Sequence, residues 1–238
     1  MVKRNKIAII PARGGSKRIP LKNIKSFLGK PIIAYSIEAA LNSKLFDEVM
    51  VSTDSQEIKL IAEEFGAHVP FIRSAKNSND VATTFDVIQE VLFQYESFGT
   101  EFSYGCCIYP TAPFVTPEIL QQALSIMTEK GFDSILPVMR FSFPIQRALK
   151  LDEDRIELFN PEHLNTRSQD LIPAYHDAGQ FYWFKIHEAL QHKRIIGSNT
   201  GAIIIRDLGG QDIDNLEDWK LAELKYKTLM ELSLGGSF

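Results

Sequence analysis

A short apolar run followed by an amphipathic stretch of helical period recurs four times along this chain, and a fifth apolar run closes the series. Lys6–Ile10 precedes "PIIAYSIEAALNS", "DEVMVST" precedes "SQEIKLIAEEFG", "AHVPFIR" precedes "TTFDVIQEVLFQYESFG", and "YGCCIYPTAPF" precedes "TPEILQQALSIMTEKGF", with "DSILPVMR" last. The helical reading rests on spacing, as at Ile33, Ile37, Ala40 and Leu41, or at Val87, Ile88, Val91, Leu92 and Tyr95. Thr116 is placed to cap its helix and Gly66 to end one. Strands that each feed a helix must cross over before they pair, which makes them parallel and covers both faces of the sheet. The predicted fold is therefore α/β: a doubly wound, mostly parallel sheet. Its apolar share of 45% is enough to fill such a core. Ligands bind such sheets beyond the carboxyl ends of the strands, so the loops after Ile10, Thr53, Tyr109 and Val138 are expected to share one crevice.

From Phe141 to Asp177 the pattern breaks into an irregular stretch with no Gly/Ser linker. It reads as an insertion, residues 141–177, within a single domain spanning 1–238, and it would cap the site or reach a partner subunit. "AGQFYWFK" and "AIIIRD" are then read as strands and "NLEDWKLAELKYKTLMEL" as a closing helix. The charges, 26 basic against 30 acidic for a net −4, leave no broad nucleic-acid surface. Adjacent Cys106 and Cys107 would point to opposite faces of a strand, as two buried thiols in a reducing compartment. The opening "MVKRNKIAII" lacks the long apolar stretch of a secretory leader, and no run approaches a membrane span. A soluble cytoplasmic protein is the expectation.

Two stretches carry chemistry. "IPARGGSKRIPLKN" follows the first strand and sets Gly14 and Gly15, whose bare backbone lets N–H groups approach a ligand, among Arg13, Lys17, Arg18 and Lys22. A phosphate chain suits it, and the alternative is an ordinary basic turn; neither the Walker nor the dinucleotide pattern is present. In "QDIDNLEDW", Asp212 and Asp214 lie two apart on an extended segment and so share a face. Paired carboxylates suit Mg²⁺; the alternative is that Asp214 or Asn215 caps the last helix.

The first loop resembles the signature of the cytidylyltransferases that activate nine-carbon and related acidic sugars, as in the CMP-sialic acid synthetases. "VSTD", "IR" followed by "NDVATT", "YPTAPF" and "DID" follow in that family's order. The resemblance implies a nucleotide-diphospho-sugar transferase fold (GT-A-like, Rossmann-like). It implies a CTP site of Ala12, Arg13, Gly14, Gly15, Ser16, Lys17, Lys22, Asn23, Arg73 and Thr84. Arg13 and Lys17 would hold the triphosphate, and Arg73 and Thr84 would face the cytosine or ribose. It implies Mg²⁺ or Mn²⁺ on Asp212 and Asp214, with Arg13, Lys17 and Asp214 as the catalytic groups, and a homodimer.

"RFSFPIQRAL", "FNPEHLNTRSQDL" and "YHDAGQFYWF" resemble the pseudaminic acid cytidylyltransferases, enzymes that supply cell-surface or flagellin glycans. Tyr109 stands where sialic acid enzymes typically carry glutamine. A sugar carboxylate wants a guanidinium fork, available from Arg140, Arg147 or Arg167. Acyl groups want apolar and amide partners, and Tyr109, Thr111, Gln146, His176, Gln180 and Tyr182 complete the expected sugar set. Asp177 and His176 are the candidates for a general base. The expected reaction is CTP plus pseudaminic acid giving the CMP-sugar and pyrophosphate. The alternatives are sialic acid, legionaminic acid or 3-deoxy-octulosonate as substrate, or a nucleotide-binding module without catalysis.

Overall fold

The computed structural model describes residues 2–234. Its strands are β1 (Lys6–Pro11), β2 (Glu48–Ser52), β3 (Tyr104–Ile108), β4 (Ser134–Arg140), β5 (Leu149–Asp152), β6 (Arg155–Leu158), β7 (Tyr175–Asp177), β8 (Phe181–Lys185) and β9 (Thr200–Ile204). The helices are α1 (Ile32–Ser43), α2 (Gln56–Glu64), α3 (Thr84–Ser97), α4 (Pro117–Glu129), α5 (Ile186–His192) and α6 (Leu216–Leu234). None of them is long and apolar enough to cross a membrane.

The central sheet runs β9–β4–β8–β3–β1–β2, with β7 pairing the far end of β4. β1, β2 and β3 are mutually parallel, and β9 is parallel to β4. The mostly parallel expectation holds, with two antiparallel additions: β8 enters between β3 and β4 antiparallel to both, and β7 pairs β4 antiparallel. Burial on both faces accounts for the continuous apolar runs. Ala8, Ile10 and Cys106 join the core under α1, α2 and α4, while Ile7, Ile9 and Cys107 join the core under α3 and α5. The two thiols thus point to opposite faces, both fully buried.

Helix starts follow the chain's own signals. Ser55 and Thr116 cap α2 and α4, and Thr83 with Asp86 forms a capping box on α3. Gly66, at φ +91°, ends the turn after α2.

Two sequence expectations are corrected and one element is added. "AHVPFIR" is not a strand: only His68 bridges β2, exchanging bonds with Val49 and Val51, and Pro70 lacks the N–H to continue the ladder. The segment after β8 forms α5, seven residues long and too short to show a helical period. The 141–177 stretch is not wholly irregular, since β5 and β6 make an antiparallel hairpin within it. That insertion exposes a run of large apolar side chains, among them Phe143 at 82%, Leu151 at 73% and Ile172 at 79%.

A third apolar cluster positions the site. Ile19 from the glycine loop, Phe27, Ile32 and Tyr35 around the start of α1, and Ile213, Trp219 and Ala222 from the C-terminal region pack together. This cluster ties the first loop of the chain to its last segment.

Candidate active site

A cleft of about 570 Å³ opens at the carboxyl ends of β1 and β3, lined by Arg13, Ser16, Lys17, Arg18, Lys22, Asn23, Asp80, Tyr109, Thr111, Asp212 and Asp214 with Pro11 and Pro110. The loops after β1 and β3 meet there as expected. The loop after β2 contributes from behind: Asp54 Oδ1 accepts the Gly14 N–H at 2.8 Å. A Cβ on Gly14 would come 3.1 Å from Ser55 Cβ, so the glycine lets the loop lie against the start of α2. Asn23, buried, donates from Nδ2 to the Arg13 carbonyl at 2.9 Å and holds the other side of the loop. The loop after β4 does not join this cleft. Arg140 lines a separate cavity of about 310 Å³ with Phe141, Ser168 and Asp207.

The cleft has a basic wall and an acidic one. Arg13 and Lys17 project from the loop and both grip the exposed carboxylate of Asp80, Arg13 Nη1 at 2.7 Å and Lys17 Nζ at 2.5 Å. The Lys17 and Arg13 hydrogen bonds hold the Asp80 carboxyl below its ordinary value. Opposite them, Ile213 is fully buried in the third cluster, which turns Asp212 and Asp214 on either side of it toward the cleft. Arg18 Nη2 reaches Asp214 Oδ1 at 2.7 Å, and Lys22 Nζ donates to the Ile213 carbonyl at 2.7 Å. Desolvation lowers the Lys22 pKa, partly offset by Asp214 and Asp212. Desolvation and the Asp214 charge raise the Asp212 carboxyl. Helix capping is done elsewhere: Asn215 Oδ1 accepts the N–H groups of Glu217 and Asp218. Asp214 is thereby left to the cleft.

Two carboxylates on one face of the chain, lining a cleft opposite a basic loop, fit a hard divalent cation. Such an ion relieves their repulsion, and Mg²⁺ is commonly held by one or two carboxylates plus phosphates and water. Among the described residues no cluster of three or more His, Cys, Asp or Glu would hold a metal by itself.

Tyr109 closes the far end. Its N–H donates to the Gln180 carbonyl at 2.8 Å, its carbonyl accepts from Ser36 Oγ at 2.8 Å, and its hydroxyl lies 3.2 Å from Thr84 Oγ1. Burial pushes its phenol up. Tyr182 packs edge-on behind it, ring centroids 5.4 Å apart.

Other expected site residues lie outside the lining. Ala12 is fully buried. Arg73 is buried beneath the cleft, with Nε on Ser52 Oγ at 2.9 Å and Nη2 on the Ser52 carbonyl; burial lowers its guanidinium to about 10. Gln180, 2% exposed, donates to the Gly209 carbonyl. Gln146 donates to the Ile172 carbonyl, His176 packs on Phe141, and Arg147 and Arg167 are exposed on the insertion. Sequence reasoning missed Asp80 and the loop-holding role of Asp54. Asp80 sits in the "NDVATT" run, which was read only as a family marker.

Comparison with known proteins shows the family and the fold. The family model described as cytidylyltransferase matches residues 7–207. The chain is 41% identical over 93% of its length, and 96% of the relative's, to a pseudaminic acid cytidylyltransferase of Campylobacter jejuni subsp. jejuni. It is 32% identical over 95% of its length, and 97% of the relative's, to a CMP-N,N'-diacetyllegionaminic acid synthase of Legionella pneumophila. Among solved structures, a CMP:2-keto-3-deoxy-manno-octonic acid synthetase complexed with CTP superposes with a TM-score of 0.67 at 17% identity, covering 96% of this chain and all of that one.

Proposed function

This chain belongs to the cytidylyltransferase family and is a nucleotidyltransferase, and we propose that its reaction is CTP plus pseudaminic acid giving CMP-pseudaminic acid and pyrophosphate. The observation that carries the reading is the end-to-end similarity to an enzyme of that name, at 41% identity. The cleft supplies what the reaction needs: a basic loop for a triphosphate at one end and an aromatic wall at the other.

The C2 hydroxyl oxygen of the sugar attacks the α-phosphorus in line. The new P–O bond forms as the bond to the β-phosphate breaks, pyrophosphate leaves, and the hydroxyl proton passes to solvent water. Arg13 and Lys17 would neutralise the charge that grows on the departing pyrophosphate. Backbone N–H groups around Gly14 and Gly15 steer the phosphates, and Asn23 and Asp54 keep that loop in shape. A divalent cation, Mg²⁺ or Mn²⁺, held by Asp212 and Asp214 would stabilise negative charge on the transferring phosphate. Tyr109 and Thr111 bound the sugar end. The exposed apolar side chains of the 141–177 insertion support a homodimer formed through that region, and a cytoplasmic enzyme feeding a cell-surface or flagellin glycan fits the reaction.

Pyrophosphate release is measured with CTP and, separately, pseudaminic, legionaminic and sialic acids and 3-deoxy-octulosonate. The expected result is turnover fastest with pseudaminic acid and abolished by EDTA. Preference for another sugar overturns the substrate, and CTP binding without turnover of any sugar favours a nucleotide-binding module.

A further inference from the structure

β7 and β8 both pair with β4, but not in one register. Asp177 lies opposite Val138, whereas Trp183 lies opposite Ile135, so six steps along one strand match three along the other. The extra residues bulge out at Ala178–Gln180, where Gly179 adopts φ +62°. Bulges re-aim side chains next to active sites, and this one touches both ends of the cleft. The Gln180 carbonyl receives the Tyr109 N–H, and a Cβ on Gly179 would lie 3.7 Å from Asp212 Cγ.

Asp177 ties the bulge together. Its Oδ1 accepts the Gly179 N–H at 2.8 Å, and its Oδ2 accepts the Tyr182 hydroxyl at 2.6 Å. Tyr182 in turn supports the ring of Tyr109, whose hydroxyl meets Thr84. A single carboxylate thus fixes the backbone that receives Tyr109 and the ring behind it. Both oxygens are engaged by groups of the chain itself, and Asp177, exposed beside the bulge, is absent from the cleft lining.

We propose that Asp177 is a positioning residue for sugar selectivity, acting through Tyr182 and Tyr109, and is not the group that takes the sugar hydroxyl's proton. This rests on the sugar-activating reading above. Asn at this position can still accept the Gly179 N–H through its carbonyl while its amide donates to the Tyr182 oxygen, because a phenol can turn from donor to acceptor. Alanine can do neither.

The test compares Asp177→Asn, Asp177→Ala and Tyr182→Phe with the wild-type chain. Each is assayed with the acidic sugar that the wild type turns over best and with a second acidic sugar, so a wrong substrate assignment leaves the comparison intact. CTP affinity is measured in parallel. Displacing a supporting group by about an ångström can cost ~10²-fold in kcat/KM. Asp177→Ala is therefore expected to lower kcat/KM for the preferred sugar by that order, to shrink the ratio between the two sugars, and to leave CTP affinity unchanged. Asp177→Asn is expected to recover most of both. Tyr182→Phe is expected to relax the ratio in the same direction, and it carries the test if the alanine variant does not fold. The proposal is overturned if Asp177→Asn is as inactive as Asp177→Ala, the mark of a lost proton acceptor. It is also overturned if the variants slow both sugars alike or change nothing.

Discussion

The Asp80 carboxylate sits between Arg13 and Lys17, where a phosphate would be wanted. Incoming CTP must displace it, so Asp80→Asn is expected to tighten CTP binding. Both pairs are exposed, with side-chain exposures of 35% for Arg13, 79% for Lys17 and 48% for Asp80. Exposed pairs are worth factors of roughly 1.5 to 5 each in an equilibrium. Two of them, partly screened, set the expected gain in CTP affinity at about two- to tenfold. The displaced contact is absent from both the bound complex and the transition state. The gain should therefore appear in Kd and KM for CTP with kcat nearly unchanged, as for uniform binding. Titration calorimetry gives the Kd, and pyrophosphate release gives kcat. The advantage should fade with added salt, because screening weakens the wild-type latch too. Weaker CTP binding in the variant, or a collapse of kcat, would refute the reasoning and recast Asp80 as a group that aims the two cations at substrate.

Asp214→Asn keeps the side-chain shape while removing the charge proposed to hold a cation and the ion pair with Arg18; activity at ordinary Mg²⁺ should be lost and partly restored at higher Mg²⁺, and an unchanged Mg²⁺ dependence would remove the metal proposal. Tyr109→Gln should shift the kcat/KM ratio of pseudaminic to sialic acid by about tenfold or more toward sialic acid and leave KM for CTP alone; equal slowing of both sugars would mean that the ring only packs. Asp47 accepts the N–H groups of Lys6 and Asn5, and these bonds hold its carboxyl below the ordinary value. A depressed carboxylate stabilises the fold above its unfolded pKa and loses that contribution as pH falls through the folded value. Asp47→Asn should thus lower Tm at neutral pH, with the difference from wild type shrinking in acid; a gap that does not shrink as pH falls below the ordinary carboxylate range would contradict the linkage.

The strand–helix alternation was legible because both periods are local, and so were the caps at Thr116 and Gly66. The phosphate loop and the aspartate pair were legible because each is a compact run of the chain. The direction of β8 was not, since an apolar run such as "FYWF" buries equally well either way. Nor was the hairpin of β5 and β6: LKLD and RIEL alternate apolar and polar residues, but each run is only four residues long and almost wholly exposed, so no buried face marks it as a strand. Asp80 escaped because its partners lie 63 and more residues away, and no periodicity links them. Arg140 looked like a carboxylate fork on chemistry alone, but the sheet's twist and the insertion set it beside a different cavity. Arg73, which the resemblance sets at the cytosine or ribose, is buried with its guanidinium on Ser52, a partner that nothing in the sequence pattern indicates.

The bond from Lys22 to the Ile213 carbonyl spans 191 positions of the chain. Closure over such a distance costs entropy that only a nearly complete core can offset. Synthesis proceeds from the N-terminus, and domains fold as units as they emerge. A nascent chain ending at Ile204 would own every strand of the sheet and the whole basic loop, but no Asp212, no Asp214 and no Ile213 or Trp219 to seat them. It could assemble the scaffold and one side of the cleft only: the basic wall would stand with no acidic wall facing it, and on the reading proposed above such a shortened product is inactive rather than partially active.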